Sequence, residues 1–212
     1  TEDVDLEFLV EDLPQILKSM QVGADRIKDI VTSLRTFSRM DEAEMKDFNL
    51  HDGIDSTLTI LNNRTKAKSS RPAVEIVRNF GEMPPVECYG SQLNQVFMNV
   101  LTNAIDALDE RDSDRTYDEV AANPSRIVIT TALLGNSVEI KIHDNGPGSP
   151  ANIRDLLFDP FFTTKPVGKG TGLGLSISYQ IVTEKHGGTL TCTAPDSCGT
   201  CFTILIPFRQ PS

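Results

Sequence analysis

Two amides and one carboxylate share a face of a predicted helix near the middle of the chain. Asn99, Asn103 and Asp106 follow one another at helical-turn spacing in the stretch N-V-L-T-N-A-I-D. Oxygen ligands of this kind suit magnesium, which keeps several waters and takes other ligands from phosphates. The opposite face is apolar, so we expect a packed helix that presents its amides in one direction. A solvated polar face is the alternative interpretation.

A second group of residues begins where a predicted strand ends in Asp-Asn-Gly-Pro-Gly. The carboxylate of Asp144 can accept a hydrogen bond from an exocyclic amine, which adenine has and guanine lacks at that position. Gly146 and Gly148 let the main chain approach a flat base and turn sharply. A plain turn after a strand is the competing interpretation.

Glycines alternate with other residues just before another predicted helix. The run G-K-G-T-G-L-G-L contains Gly168, Gly170, Thr171, Gly172, Leu173 and Gly174. Open main chain followed by a helix N-terminus is typical of a phosphate site, although the pattern is neither a P-loop nor a Rossmann fingerprint. The segment from Phe158 to Gly170 has the character of a lid, and Lys165 within it can reach a terminal phosphate.

The predicted elements form a scaffold for these groups. The asparagines lie on a helix over Gln92–Leu108, and the polar segment Asp109–Ser125 is expected to be a long exposed loop. Ile127–Leu134 and Val138–His143 are expected to form a hairpin around Gly135-Asn136. Other elements are expected as a strand at Phe48–Leu50, a helix at Asp52–Lys66, a strand at Val74–Phe80, a helix at Leu175–His186, and a final hairpin of Thr189–Thr193 and Cys201–Ile206.

Residues 1–40 differ from the rest, because apolar residues recur there at three- and four-residue steps. This pattern predicts a long amphipathic helix or coiled-coil seam, which needs partner helices to bury its apolar stripe. The helix could pack on its own domain, but its length and heptad regularity favour half of a dimeric hairpin. The predicted organisation is therefore a helix over 1–40, a linker over 41–47 and a main domain over 48–212.

Composition and charge exclude several classes of protein. The net charge of −10 argues against a nucleic-acid partner and disfavours binding to a membrane surface. No apolar run has the length of a membrane span and the first residues are acidic, so we expect a cytoplasmic location. Cys198 and Cys201 have C-x-x-C spacing, but no second pair completes a zinc site, which favours reduced cysteines in turns or in the core.

Four motifs in order resemble the nucleotide-binding domain of sensor histidine kinases. The asparagine helix matches the N box, D-N-G-P-G the G1 box, F-D-P-F-F the F box and G-K-G-T-G-L-G-L the G2 box. The same superfamily includes gyrase, Hsp90 and MutL, and the resemblance covers residues 50–208. It implies an α+β fold of the Bergerat (GHKL) type, a two-layer sandwich with helices on one face of a mixed sheet.

The resemblance also implies roles for individual residues. Asn103, helped by Asn99, would hold magnesium, Asp144 would bind adenine, and Thr200 would lie near the base. Asn99, Asn103 and Lys165 are the expected catalytic residues. The expected nucleotide-binding residues are Asn99, Asn103, Asp106, Asp144, Gly146, Gly148, Phe158, Lys165, Gly168, Gly170, Thr171, Gly172, Leu173, Gly174 and Thr200.

Residues 1–40 resemble the second helix of a kinase dimerisation hairpin, in the variant found in multi-domain cyanobacterial-type sensor kinases. The resemblance implies ATP and magnesium as ligands. It also implies a histidine-bearing helix, a response-regulator receiver domain and a second copy of the kinase as partners. The first helix of such a hairpin carries the substrate histidine in an H-E-[LF]-x-N-P-like box, and no such box occurs in the sequence.

The three histidines do not supply an obvious acceptor for a phosphoryl group. His186 precedes two glycines and is expected to cap a helix, while His143 is expected to pack beside the adenine pocket. His51-Asp52 resembles an acceptor with its base, but an exposed position at a helix start is favoured. The simplest expectation is a fragment cut between the two dimerisation helices, and a protein that phosphorylates a histidine in trans is the alternative.

Three rival functions stay open. An ATPase like MutL or gyrase B would need a glutamate to activate water where this chain has Asn99, and an amide cannot take the proton. A protein-serine kinase of the anti-sigma or mitochondrial type is less consistent with the long amphipathic helix and the lid. A non-catalytic scaffold is disfavoured because all four motifs are intact.

Overall fold

The computed structural model describes residues 44–69, 71–165, 170–194 and 199–209, together with 13, 16, 17, 19–21 and 24. The predictions for most of 1–43, and those for Gly168 and Cys198, lie outside these residues. The positions described between 13 and 24 are helical and exposed.

A mixed five-stranded sheet forms one layer of the main domain. Its strands are β2 (Glu75–Phe80), β4 (Arg126–Leu134), β5 (Ser137–Asp144), β6 (Thr189–Thr193) and β7 (Thr200–Pro207), in the spatial order β2-β4-β5-β7-β6. Strands β2 and β4 are parallel, and the other neighbours are antiparallel. A separate two-stranded sheet pairs β1 (Lys46–Phe48) with β3 (Val86–Cys88).

The helices form the second layer. They are α1 (Leu50–Ile60), α2 (Asn62–Thr65), α3 (Gly90–Asp112), α4 (Tyr117–Ala122) and α5 (Gly174–Gln180), which continues as a π-helix over Ile181–Lys185. Two short 3₁₀ turns, Ala151–Ile153 and Asp155–Phe158, lead from β5 toward the lid. No helix among these described residues is long and apolar enough to cross a bilayer.

The apolar side chains of α3 and the inward residues of the strands make one continuous core. On β5 the buried residues Val138, Ile140, Ile142 and Asp144 alternate with half-buried ones that point to the other face. The larger α3 contribution consists of Leu93, Val96, Phe97, Val100, Leu101, Ala104, Ile105 and Leu108, none more than 2% exposed. The two-layer α/β sandwich that the resemblance implied is confirmed.

The predicted hairpin around Gly135-Asn136 and the final hairpin are also confirmed, but the expectation of a loop over Asp109–Ser125 was wrong. Helix α3 runs on to Asp112, and α4 follows with a capping box between Thr116 and Glu119. The polar residues that suggested a loop are held by ion pairs, including those of Arg111 and Arg115 with Asp112. The strand expected at Phe48–Leu50 ends at Phe48, because Asn49 caps α1 by accepting from the main-chain N–H of His51.

His186 is confirmed as a helix C-cap, and His51 is confirmed at the start of α1, although it is half-buried and not exposed. His186 is fully buried, and its Nε2 accepts from the Tyr89 main-chain N–H at 3.1 Å. His51 stacks on Phe80 with ring centroids 4.3 Å apart and is hydrogen-bonded to Thr131. His143 lies on the face of the sheet opposite to that of the buried Asp144, the residue that follows it.

We predict that His186 makes the fold sensitive to acid. Burial lowers the pKa of His186 below its ordinary value of 6.5, although the hydrogen bond to the Ile181 carbonyl opposes this shift. A depressed folded pKa stabilises the fold above the unfolded value and loses that contribution as the pH falls. Urea unfolding from about pH 7.5 to about pH 5.5 should therefore show a decreasing free energy of unfolding.

His186→Gln keeps one donor and one acceptor but does not titrate, so this variant should lose most of that pH dependence. His143→Gln, on the outer face of the sheet, is the matched control and should retain it. Equal slopes in the wild type and in His186→Gln would contradict the assignment.

Candidate functional site

Asp144 is the last residue of β5 and is buried at the edge of the helical layer. Its Oδ1 accepts from the Gly146 main-chain N–H at 2.8 Å, and its carboxylate lies beside the main chain of Thr200, its register partner on β7. Burial raises the pKa of Asp144, and the hydrogen bonds from Gly146 and Thr200 offset this only in part. A buried carboxylate with a raised pKa marks a candidate functional site.

The loop after Asp144 and the start of β7 approach each other closely. Gly199 has φ +86°, and a Cβ there would lie 1.8 Å from the Asp144 carbonyl oxygen. Gly148, with φ +81°, would place a Cβ 3.1 Å from the Gly199 oxygen. The hydroxyls of Ser149 and Thr200 lie 3.4 Å apart. Thr200 is therefore placed next to Asp144.

Helix α3 presents its polar residues toward the lid and α5. Asn99 donates from Nδ2 to the Gly174 carbonyl oxygen at 2.9 Å and to Ser178 Oγ at 3.1 Å. These two bonds fix the amide and leave its oxygen as the free acceptor. Asn103 lies one turn further along the helix, and its Oδ1 accepts from Lys165 Nζ at 3.1 Å.

Asp106 completes a small cation site with Asn103. Lys165 is hydrogen-bonded to the Asp106 carboxylate as well as to Asn103, so its ammonium lies between two oxygens of α3. Of the two residues predicted to hold magnesium, Asn103 thus already lies against a positive charge, together with Asp106, which was predicted to bind the nucleotide. The described residues hold no cluster of three acidic, histidine or cysteine side chains that could bind a metal ion.

A second cation, not found from the sequence, approaches Asp106 from the other side. Arg64 on α2 lies 2.6 Å from Asp106 Oδ1 and 3.2 Å from Asp109 Oδ2. Arg71, whose side chain is almost completely buried, pairs with Asp109 at 3.0 Å. No periodicity or motif marked these arginines, because their partners are more than 35 residues away along the chain.

The lid segment is joined to the glycine run by its main chain. Phe161 has a positive φ of 67° and donates from its N–H to the Gly172 carbonyl oxygen at 2.9 Å. A Cβ on Gly172 would lie 2.3 Å from the Phe161 carbonyl carbon, and one on Gly170 would lie 2.7 Å from Thr163 Oγ1. These glycines therefore permit close contact between the lid and the run.

Other residues expected in this part of the site flank α5. The Leu173 main-chain N–H donates to Thr171 Oγ1 at 3.3 Å, and the Leu173 side chain is buried. Phe158 lies against Tyr179 of α5 with ring centroids 5.3 Å apart. Among the described residues, α3 thus contacts Gly174 through Asn99 and Lys165 through Asn103 and Asp106.

We predict that Gly199→Ala is strongly destabilising, because the added methyl would overlap the Asp144 carbonyl oxygen. The matched control is Gly135→Ala, which also has positive φ, +62°, but no neighbour within 4 Å of the added methyl. The control should lose about 1 kcal/mol from left-handed backbone strain. Gly199→Ala should lose about 2 kcal/mol more in chemical unfolding. Equal losses would show that the close approach carries no cost.

Comparison with known proteins agrees with this arrangement. Residues 89–210 match the family described as histidine kinase-, DNA gyrase B-, and HSP90-like ATPase. The sensor kinase CckA of Brucella abortus is 33% identical over 196 residues, covering 92% of this chain and 20% of CckA. The sensory histidine kinase/phosphatase NtrB of Rhizobium meliloti is 33% identical over 187 residues, covering 86% of this chain and 47% of NtrB.

A solved structure gives the same result. The nucleotide-free catalytic domain of histidine kinase ThkA superposes with a TM-score of 0.61 at 26% identity, covering 78% of this chain and 97% of that domain. The present chain spans less than half the length of either CckA or NtrB. It belongs to the histidine kinase-, DNA gyrase B-, and HSP90-like ATPase family and contains the ATP-binding catalytic region of a sensor histidine kinase.

Proposed function

We propose that this chain binds magnesium-ATP and transfers the γ-phosphoryl group to a histidine on a dimerisation helix of a two-component kinase. One observation carries the proposal: the ammonium group of Lys165 lies between Asn103 and Asp106 on α3. Further along the same helix, Ala107 adjoins Gly146, which is hydrogen-bonded to the buried Asp144 carboxylate. An acceptor for a base and a site for a cation beside phosphates are thus arranged along α3.

At the base end, Asp144 would accept from the exocyclic amine of adenine. Gly146 and Gly148 leave the main chain open beside this carboxylate, and Thr200 adjoins it. An ionised carboxylate forms a stronger hydrogen bond to such an amine than a neutral group does. The same carboxylate would face the carbonyl oxygen of guanine unfavourably, which gives selectivity for adenine.

At the phosphate end, Asn103 and Asn99 would hold magnesium, with Asp106 beside them. When bound, the metal would neutralise charge on the phosphates. Lys165 would pair with the terminal phosphate, and the run Gly170–Gly174 would offer main-chain N–H groups to the other phosphates. Attack by a histidine nitrogen in line with the leaving oxygen would then need mainly positioning and charge stabilisation.

An ATP hydrolase is the second candidate, and the position of Asn99 argues against it. Its amide is tied to Gly174 and Ser178, and an amide cannot remove a proton from water. Transfer to a positioned histidine requires no such base, because a neutral imidazole nitrogen is already a nucleophile.

The acceptor histidine is proposed to come from a dimerisation helix. Within the described part of the chain, His51 and His186 are tied to Thr131 and Tyr89, and His143 lies on the outer sheet face. Four apolar residues in the N-terminal part of the chain are helical and more than half exposed, as expected for a helix that needs a partner helix. They are Leu13, Ile16, Leu17 and Met20. We therefore propose a homodimer that phosphorylates a response-regulator receiver domain, in the cytoplasm where ATP is supplied.

The proposal predicts phosphoryl transfer to a separate hairpin. The chain is incubated with γ-labelled ATP, magnesium and a polypeptide containing a complete dimerisation hairpin, and acid-labile label is measured on the hairpin. Label should appear on the hairpin and be absent when its histidine is replaced by glutamine. Asn103→Ala should lower the rate of phosphoryl transfer about 100-fold, whereas Thr102→Ala, at the preceding position on α3, should leave it unchanged.

Two results would contradict the proposal. Release of inorganic phosphate without label on the hairpin would favour the hydrolase. Stoichiometric label on this chain alone would place an acceptor within it.

Asp144→Asn tests the base end independently of transfer. Losing a hydrogen bond to a charged acceptor should weaken ATP binding by about 10- to 100-fold. Titration calorimetry measures the affinity, and circular dichroism checks that the variant is folded. Unchanged affinity for ATP would remove Asp144 from the base site.

A further inference from the structure

Asn145 follows the buried carboxylate directly, and its four polar groups are all hydrogen-bonded. Its main-chain N–H donates to the Arg126 carbonyl oxygen at 3.2 Å, and its Oδ1 accepts from the Arg126 N–H at 2.8 Å. Its Nδ2 donates to the Pro124 carbonyl oxygen at 2.9 Å, and its own carbonyl accepts from Arg111 Nη1 at 3.0 Å. Each of these bonds is directed at the end of α3 or the start of β4.

These contacts extend the sheet ladder just beyond Asp144. The last register pair of the β4–β5 hairpin joins Ile127 to Asp144, and the Arg126–Asn145 bonds follow it. The side chain of Asn145 thus replaces a strand partner where the chain turns away toward Gly146. The turn that sets the direction of the Asp144 carboxylate is fixed by the side chain of its neighbour.

Arg111 connects this turn to helix α3. Besides Asn145, its guanidinium donates to Ser125 Oγ at 2.9 Å and to Asp112 Oδ1 at 3.0 Å. Asp112 also accepts from Ser125 Oγ and from Arg115. Burial would raise the pKa of Asp112, but the hydrogen bonds from Ser125 and Arg111 and the charge of Arg111 lower it. The Asp112 carboxylate is therefore paired with two guanidinium groups and hydrogen-bonded to Ser125, which ties the end of α3 to the start of β4.

The same helix carries the cation site. Arg111 lies eight residues after Asn103, which corresponds to about 12 Å along the helix axis. Ala107, between them, also limits the loop, because a Cβ on Gly146 would lie 3.2 Å from its methyl carbon. Helix α3 thus positions both ends of the site.

We propose that Asn145 and Arg111 are positioning residues that set selectivity for adenine by fixing the direction of the Asp144 carboxylate. Their bonding groups are committed to protein partners, so they act through Asp144 and do not touch the base. This inference rests on the proposed function, and it assigns base selectivity to residues outside the pocket. Removing the Asn145 side chain should release the turn while leaving the phosphate end unchanged.

The test compares ATP with inosine triphosphate, which has a carbonyl oxygen in place of the exocyclic amine. Titration calorimetry of the full chain with magnesium gives both affinities. Asn145→Ala should weaken ATP binding about 10-fold while the affinity for inosine triphosphate stays within about twofold. A loss of general stability would weaken both nucleotides equally, so the ratio isolates the positioning role.

Two further variants make the test robust. Arg111→Lys keeps the charge but cannot bind Asn145, Ser125 and Asp112 together. The ratio of the affinity for ATP to that for inosine triphosphate should therefore fall, as in Asn145→Ala. Asn136→Ala, at the exposed opposite end of the same hairpin, is the matched control and should leave the ratio unchanged. In an Asp144→Asn background, Asn145→Ala should have little further effect on ATP, because its effect passes through the missing carboxylate.

The outcomes separate the inference from the function. Equal weakening of both nucleotides by Asn145→Ala and by Arg111→Lys, or additive effects with Asp144→Asn, overturns the inference alone. A wild-type chain that binds neither nucleotide overturns the proposed function and the inference with it.

Discussion

The orientation of helix α3 about its own axis is the constraint on which the site depends. Its apolar face is buried against the sheet from Leu93 to Leu108, and each fully buried large side chain contributes about 1.5–3 kcal/mol. A rotation by one residue, about 100°, would expose several of them. The core therefore directs Asn99, Asn103 and Asp106 toward the lid without any contact from a ligand.

The pKa values of two buried aspartates near the end of α3 are shifted in opposite directions. Hydrogen bonds from Ser125 and Arg111 lower the pKa of Asp112, so its charge supports the fold. Burial raises the pKa of Asp144, so its ionised form costs stability at neutral pH. Asp112 is paired with two arginines, whereas Asp144 is hydrogen-bonded by the main chain of Gly146 and Thr200. The direction of the pKa shift therefore distinguishes a carboxylate that supports the fold from a candidate binding carboxylate.

The sequence was sufficient for elements whose signals are local. The α3 asparagines, the Gly135-Asn136 hairpin and the glycine run follow from periodicity, turn chemistry and motif order. The segment 109–125 was misassigned because its polar residues are bound to one another and to Ser125, which only the fold brings together. The burial of His186 was missed for the same reason, since its partner Tyr89 is 97 residues away.

The candidate site residues also divide into those with a local sequence signal and those whose contacts only the fold creates. Asp144 and Asn103 were predicted from residue type and spacing. Arg64 and Arg111 were not, because an arginine near a helix end has many solvated alternatives. Asn145 lies inside a recognised motif, yet its residue type alone does not reveal that its side chain faces away from the pocket toward Pro124.

The contacts of Lys165 explain how a lid can be held without nucleotide. Its ammonium is bound to Asn103 and Asp106, and Arg64 binds the other Asp106 oxygen. Under the proposed function a divalent cation would take the Asn103 oxygen, and Lys165 would then have to leave it. Repulsion between the two cations would favour movement of the lysine toward the phosphates of a bound nucleotide. Amides suit this exchange, because additional carboxylates would hold the lysine more tightly and would repel the triphosphate.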